Sequence, residues 1–124
     1  MAEKKDCAAR LLMITEGFKN NRKALTAIGD ETRQLILLVL LESDLKGIRV
    51  NEIAKKTHLT RPSVSHHLQI LKEAGIVNMR KEGTMNFYYI NANETQWQSL
   101  LELMKLIVEG VLHISDTQGK DDER

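Results

Sequence analysis

The chain has 124 residues, 42% of them apolar and 28% charged, which is the balance of a globular protein and not of a disordered one. At that length one folded domain is expected, and the longest apolar run, the seven residues Leu35 to Leu41, is far short of the about 20 that a membrane span requires. The opening Met1-Ala2-Glu3-Lys4-Lys5-Asp6 carries no apolar signal core behind it, and the single cysteine, Cys7, excludes an internal disulfide, so a cytoplasmic location is expected.

In chain order, residues 1–10 are polar, and Leu11, Ile14 and Phe18 then recur at helical spacing, which predicts a short amphipathic helix over about 9–20. Asn20-Asn21 interrupts it. A second helical stretch runs from Ala24 to Glu42, with a break near Gly29 where Asp30 can cap the second part. The run Leu35–Leu41 is apolar on every side, which predicts a helix covered all round. Ser43 to Gly47 has turn chemistry, and Val50 to Thr57 is a short helical piece.

A break at Thr57-His58-Leu59-Thr60 precedes the next helix, for which Thr60 is the expected N-cap and Pro62 a tolerated first-turn residue. That helix places Val64, Leu68 and Leu71 on one face and ends at Gly75. Two strand-like runs, Ile76–Lys81 and Met85–Ile90, flank Glu82-Gly83-Thr84 as a hairpin. From Glu94 to about His113, Trp97, Leu101, Met104, Val108 and Val111 form a helical apolar stripe, before a polar, acidic end. The expected organisation is a flexible N-terminus over 1–8, one folded domain over 9–113 and a flexible acidic tail over 114–124.

The net charge of +1 is unevenly divided, since residues 55–90 carry six Lys/Arg against two Asp/Glu and residues 91–124 carry three against seven. The basic stretch holds three of the four histidines and suits an anionic polymer, although a solvated helix face explains the same excess. Helices joined by a tight turn and followed by a hairpin make a helix-turn-helix with a wing, whose second helix can project into a major groove about 12 Å wide. The face opposite Val64, Leu68 and Leu71 bears Arg61, Ser63, Ser65, His66, Gln69 and Lys72, with Thr60 at its start. Arg61 has the chemistry to bond a guanine bidentately and Gln69 an adenine, while Arg80 and Lys81 flank the wing tip.

Thr60-Arg61-Pro62-Ser63-Val64-Ser65-His66-His67-Leu68, continuing as Leu71-Lys72-Glu73-Ala74-Gly75-Ile76-Val77, resembles the recognition-helix signature of the ArsR/SmtB winged-helix repressors, and Asp30-Glu31-Thr32-Arg33 resembles the start of an earlier helix of that family. The resemblance covers about residues 15–112. It implies a mainly α fold with a small β-hairpin and a homodimer, and the apolar stripes of the N- and C-terminal helices, broader than one small domain can cover, place the pairing there. It also implies a sequence-specific transcriptional regulator, a repressor on a palindromic operator of double-stranded DNA, with Ser65 and His66 among the groove-facing positions. Arg61 and Pro62 depart from the small or amide polar residues of many members, which predicts a different base code.

Many of those relatives release DNA on binding metal. The positions of their Cys-x-Cys pair are here Arg49 and Asn51, just before Glu52, and the positions of their last-helix site are Glu94, Gln96, Ile107 and Gly110, without imidazoles. No metal or other cofactor is therefore expected, and the effector is left open. His67 reads equally as a packing residue or a base contact, and Cys7 as a free thiol or a bridge to its copy. The expected pairing surface is Leu11, Ile14 and Phe18 with Trp97, Leu101, Met104, Val108 and Val111. A winged-helix protein-interaction module without DNA binding is the alternative. No paired carboxylates, Ser/His/Asp set or Gly-rich phosphate loop points to an enzyme.

Overall fold

A computed structural model of the chain describes residues 2–93 and 95–122, with side chains placed over 7–93 and 96–110. The elements in order are α1 (Ala2–Asn20), α2 (Arg22–Ile28), α3 (Glu31–Glu42), α4 (Val50–Thr57), α5 (Arg61–Glu73), β1 (Asn78–Glu82), β2 (Met85–Tyr89) and α6 (Thr95–Asp122). The fold is mainly helical with one two-stranded antiparallel hairpin. Both terminal helices are longer than the 9–20 and 94–113 stretches expected. The chain divides into two compact units, residues 23–97 and residues 1–22 with 98–124.

In the first unit, local chemistry sets most boundaries. Asp30 caps α3, its carboxylate accepting the Arg33 N–H at 3.0 Å, and Thr60 caps α5, its hydroxyl accepting the Ser63 N–H at 3.2 Å. His58 takes the left-handed conformation (φ 58°) and ends α4, leaving only Leu59 and Thr60 before α5. After α5, Gly75 sits at φ +76°, where a side chain would be strained, and the Ile76 N–H closes on the Leu71 carbonyl at 2.9 Å. Helix α3 packs on α4 and α5, and Ile36, Ile53, Val64, Leu68 and Leu71 are fully buried.

The α3 run departs from expectation. Ile36, Val39 and Leu40 are buried, but Leu35, Leu38 and Leu41 are 40%, 53% and 59% exposed. Helices α4 and α5 pack on one side of α3, and an apolar run does not by itself specify coverage on the other.

The wing is also tighter than expected. Glu82 pairs with Met85, so the loop is the two residues Gly83-Thr84. Ile48, just before α4, adds a single bridge to the hairpin: its N–H donates to the Tyr88 carbonyl at 3.0 Å and its carbonyl accepts the Tyr88 N–H at 2.9 Å. Gly47 makes that approach possible. It has φ +114°, and a Cβ there would stand 3.1 Å from both the Phe87 Cβ and the Tyr88 carbonyl oxygen.

In the second unit α1 and α6 run antiparallel. The Asn21 amide, fully buried, donates to the Gly17 carbonyl at 2.8 Å and to the Ser99 hydroxyl at 2.9 Å. A Cβ on Gly17 would come within 2.9 Å of Leu103, and one on Gly110 within 2.9 Å of Ile14. Small residues therefore set the closeness of the two helices. Leu11, Leu12, Met13 and Phe18 on α1 and Leu101, Met104 and Val108 on α6 are about half exposed or more.

Candidate nucleic-acid interface

The two faces of α5 separate cleanly. Val64, Leu68 and Leu71 have no exposure, whereas Arg61, Ser65, His66, Gln69 and Lys72 are exposed and Ser63 is half-buried. The buried face anchors α5 to α3 and α4, so the polar face is held on a rigid support. Thr60 is exposed too, with its hydroxyl committed to the cap.

Two of the expected DNA-contacting residues, one on α5 and one on the wing, have partners within the chain. The Gln69 amide donates to the Glu73 carboxylate at 2.9 Å, an i, i+4 pair that must open before the amide can meet a base. On the wing, Arg80 stacks over Phe87, its guanidinium carbon 4.8 Å from the ring centre, and its Nε lies 3.0 Å from the Glu82 carboxylate. Lys81 is exposed beside it. Arg80 is thus tied to the wing's own residues, while Lys81 makes no side-chain hydrogen bond or ion pair among the described residues.

A contact that sequence reasoning missed fixes α5 from behind. Arg33 donates from Nε to the Ala27 carbonyl at 2.7 Å and from Nη2 to the Thr26 carbonyl at 3.3 Å, closing the end of α2, and its Nη1 lies 3.4 Å from His67 Nδ1. A guanidinium only donates, so this geometry requires a neutral imidazole with its lone pair at Nδ1. His67 is half-buried, and its packing role is the one this geometry favours over base contact. Burial holds its pKa below the ordinary value of 6.5, with Arg33 acting in the same direction and Asp30 opposing. Asp30 titrates below the ordinary carboxylate value because its oxygen accepts the Arg33 backbone N–H.

The sign of the resulting pH effect is definite. The unfolded chain takes up a proton on this imidazole near 6.5 and the folded chain only at lower pH, so stability is at its full value above 6.5 and falls as pH drops through the folded pKa. The midpoint of thermal unfolding is expected to be lower at pH 5 than at pH 7.5, with a smaller drop in His67→Gln. An equal drop in both proteins would remove His67 as the cause.

Of the expected pairing residues, Leu101, Met104 and Val108 lie exposed on α6 at spacings of three and four, and Leu11 and Phe18 are exposed on α1. Ile14 and Trp97 have partners within the protomer. Ile14 faces Gly110, and the half-buried Trp97 donates its indole N–H to the Ile76 carbonyl at 2.9 Å. The side chains of Val111 and His113, and Glu94 altogether, lie outside the described residues.

Arg49 offers a guanidinium where a thiolate is required and Asn51 an amide, and among the described residues no three His, Cys, Asp or Glu side chains gather into a candidate site. Among the same residues, no helix is long and apolar enough to cross a membrane.

Comparison with known proteins gives this geometry its context. The profile of the bacterial regulatory protein, arsR family, matches residues 30–79, which spans α3 to the start of the wing. An uncharacterized HTH-type transcriptional regulator of Methanocaldococcus jannaschii, MJ1325, is 40% identical over 94 residues, 76% of this chain and 98% of that protein. The chain belongs to the ArsR family. The transcriptional activator HlyU of Vibrio cholerae is 35% identical over 73% of this chain and 82% of its own length, and the transcriptional repressor SdpR of Bacillus subtilis is 36% identical over 56% and 74%. An ArsR-like transcriptional regulator from Rhodococcus sp. RHA1 shares the fold with a TM-score of 0.71 at 18% identity, over 89% of this chain and 97% of that one. This ArsR-family chain is thus a winged helix-turn-helix transcriptional regulator that acts through DNA.

Proposed function

We propose that this ArsR-family protein is a repressor that binds a palindromic operator as a homodimer, with α5 in the major groove of each half-site. The observation that carries the reading is the division of α5 into a fully buried apolar face and an exposed face of hydrogen-bonding and cationic side chains. On this reading Arg61, Ser65, His66 and Gln69 meet base edges, Thr60, Ser63 and Lys72 meet the adjoining backbone, and Arg80 and Lys81 bring the wing to the flanking phosphates.

Pairing is inferred from the apolar residues on the two terminal helices. Leu101, Met104 and Val108, with Leu11 and Phe18, are proposed to meet their copies across a two-fold axis, with Val111 continuing the stripe. A dimer then presents two copies of α5 to half-sites about 34–36 Å apart, or a multiple of that. Since HlyU is named an activator and SdpR a repressor, the sign of regulation depends on where the operator lies against the promoter. Repression is the simpler outcome for a small protein that excludes polymerase by occupying a duplex.

The test is a fluorescence-anisotropy titration of a duplex selected by the protein from a random pool. The selected sequence is expected to be an inverted repeat bound by two chains, with log K falling linearly against log salt at a slope of about −0.9 per phosphate neutralised. A flat salt dependence, or no selection above random duplex, would contradict DNA recognition and favour the protein-interaction alternative.

A further inference from the structure

Between the start of α4, the start of α5 and strand β2 lies a cavity of about 130 Å³ lined by Arg49, Val50, Asn51, Arg61, Thr84 and Asn86. Two larger, more open concavities share Arg61 with it, one including Lys55 and the other Ser65. Among the described residues, no Asp or Glu lines any of the three. Neither Arg49 nor Arg61 makes an ion pair or side-chain hydrogen bond among the described residues, in contrast to Arg33 and Arg80. Two uncommitted guanidiniums therefore face one notch that also offers amide and hydroxyl donors, and among the described residues no acidic side chain lines it.

Arg49 stands on a fixed backbone. The residue before it is bridged to Tyr88 of the wing, and its own carbonyl accepts the Glu52 and Ile53 N–H groups at 3.1 and 3.2 Å. Its side chain makes no cap bond to the helix it begins. The guanidinium is thus launched from a rigid junction between wing and helix-turn-helix, which is what a positioning contact requires.

We infer that this notch seats one phosphate of the DNA backbone, with Arg49 as its principal cation, and that the seated phosphate sets the height at which Arg61 enters the groove. The inference rests on the DNA-binding reading above and adds a residue to it. A phosphate oxyanion matches the planar, five-donor guanidinium, and Asn51, Thr84 and Asn86 supply neutral donors around it. Arg49 is then a positioning residue without sequence preference, in contrast to Arg61.

Titrating Arg49→Ala, Arg49→Lys and the parent protein on the selected duplex and on a scrambled one tests this. Arg49→Ala is expected to weaken both by the same factor, several-fold or more, and to reduce the salt slope by about 1 per subunit. Arg49→Lys should restore the slope and part of the affinity, because a point charge is kept and the bidentate fit is lost. Affinity and slope unchanged in Arg49→Ala, while the parent protein binds, would overturn the inference and leave DNA recognition standing. No duplex binding by the parent protein would overturn both. A parallel titration with inorganic phosphate, at ionic strength matched by chloride, separates a backbone phosphate from a free one. A seat that fits a phosphate oxyanion also admits the free ion, so the deciding arm is phosphate-free buffer: Arg49→Ala is still expected to lose DNA affinity there, and unchanged affinity there, with only release by added phosphate lost, would overturn the inference by making the notch a site for free phosphate.

Discussion

Replacing Met104 and Val108 together with aspartate is expected to yield a monomer that keeps its helices and no longer binds operator. Both side chains are exposed in the protomer, at 45% and 57%, and neither belongs to the core that Leu100 and Leu103 build on the other side of α6. The double substitution should therefore leave the protomer folded. In the proposed dimer each side chain is buried against the partner, and burying a Met or Val is worth about 1.5–3 kcal/mol. Two carboxylates per subunit in that position reverse the sign, because an unpaired buried charge costs more than the lost apolar contact contributes. Losing the dimer also removes the geometric link between two copies of α5, so specific affinity should fall to that of one reading head on random DNA. Sedimentation velocity and circular dichroism check the two halves of this expectation. An intact dimer would refute the assigned surface, and a loss of helix would mean that the stripe is internal.

Arg61→Ala carries the second large effect. Arg61 is exposed at the first position of α5, beside a cap that does not use its side chain, so truncation should leave the fold unchanged. If its guanidinium bonds a guanine through O6 and N7, removal costs about 1–3 kcal/mol on the selected operator and relaxes preference at one base position per half-site. A panel of operators with single base substitutions reads this directly. The cost should vanish on those lacking that guanine and persist on the rest. Equal loss on every duplex would make Arg61 a second backbone contact in the Arg49 notch.

The parts of the reading head that were legible in the sequence are those that depend on neighbours in the chain. The Thr60 cap, the Pro62 position, the turn at His58 and the Gly75 stop each arise from the chemistry of a few adjacent residues, and the 64, 68, 71 spacing marks the buried face without reference to anything distant. The features that were not legible depend on partners far along the chain. Asn21, which reads as a helix interruption, is a buried amide satisfied by Gly17 four residues away and Ser99 seventy-eight away. Arg33, which in the sequence is only the end of the Asp30-Glu31-Thr32-Arg33 helix start, ties the end of α2 to His67. The Ile48 bridge is a single residue pair, too short to leave any periodic pattern, yet it fixes the wing against α4 and gives Arg49 its footing. Leu35, Leu38 and Leu41 show the converse. Their hydrophobicity is plain in the sequence, but which of them a neighbour covers is decided by packing.

Whether α5 lies in the major groove decides the proposed mode of recognition, and methylation interference on the selected duplex reads it out. Methyl groups at guanine N7 project into the major groove and those at adenine N3 into the minor groove, so the two grooves report separately. N7 methylation is expected to block binding in two patches whose centres are about 34–36 Å apart or a multiple of that, one patch per copy of α5. Undiminished binding to N7-methylated duplex, or interference confined to adenine N3, would contradict it.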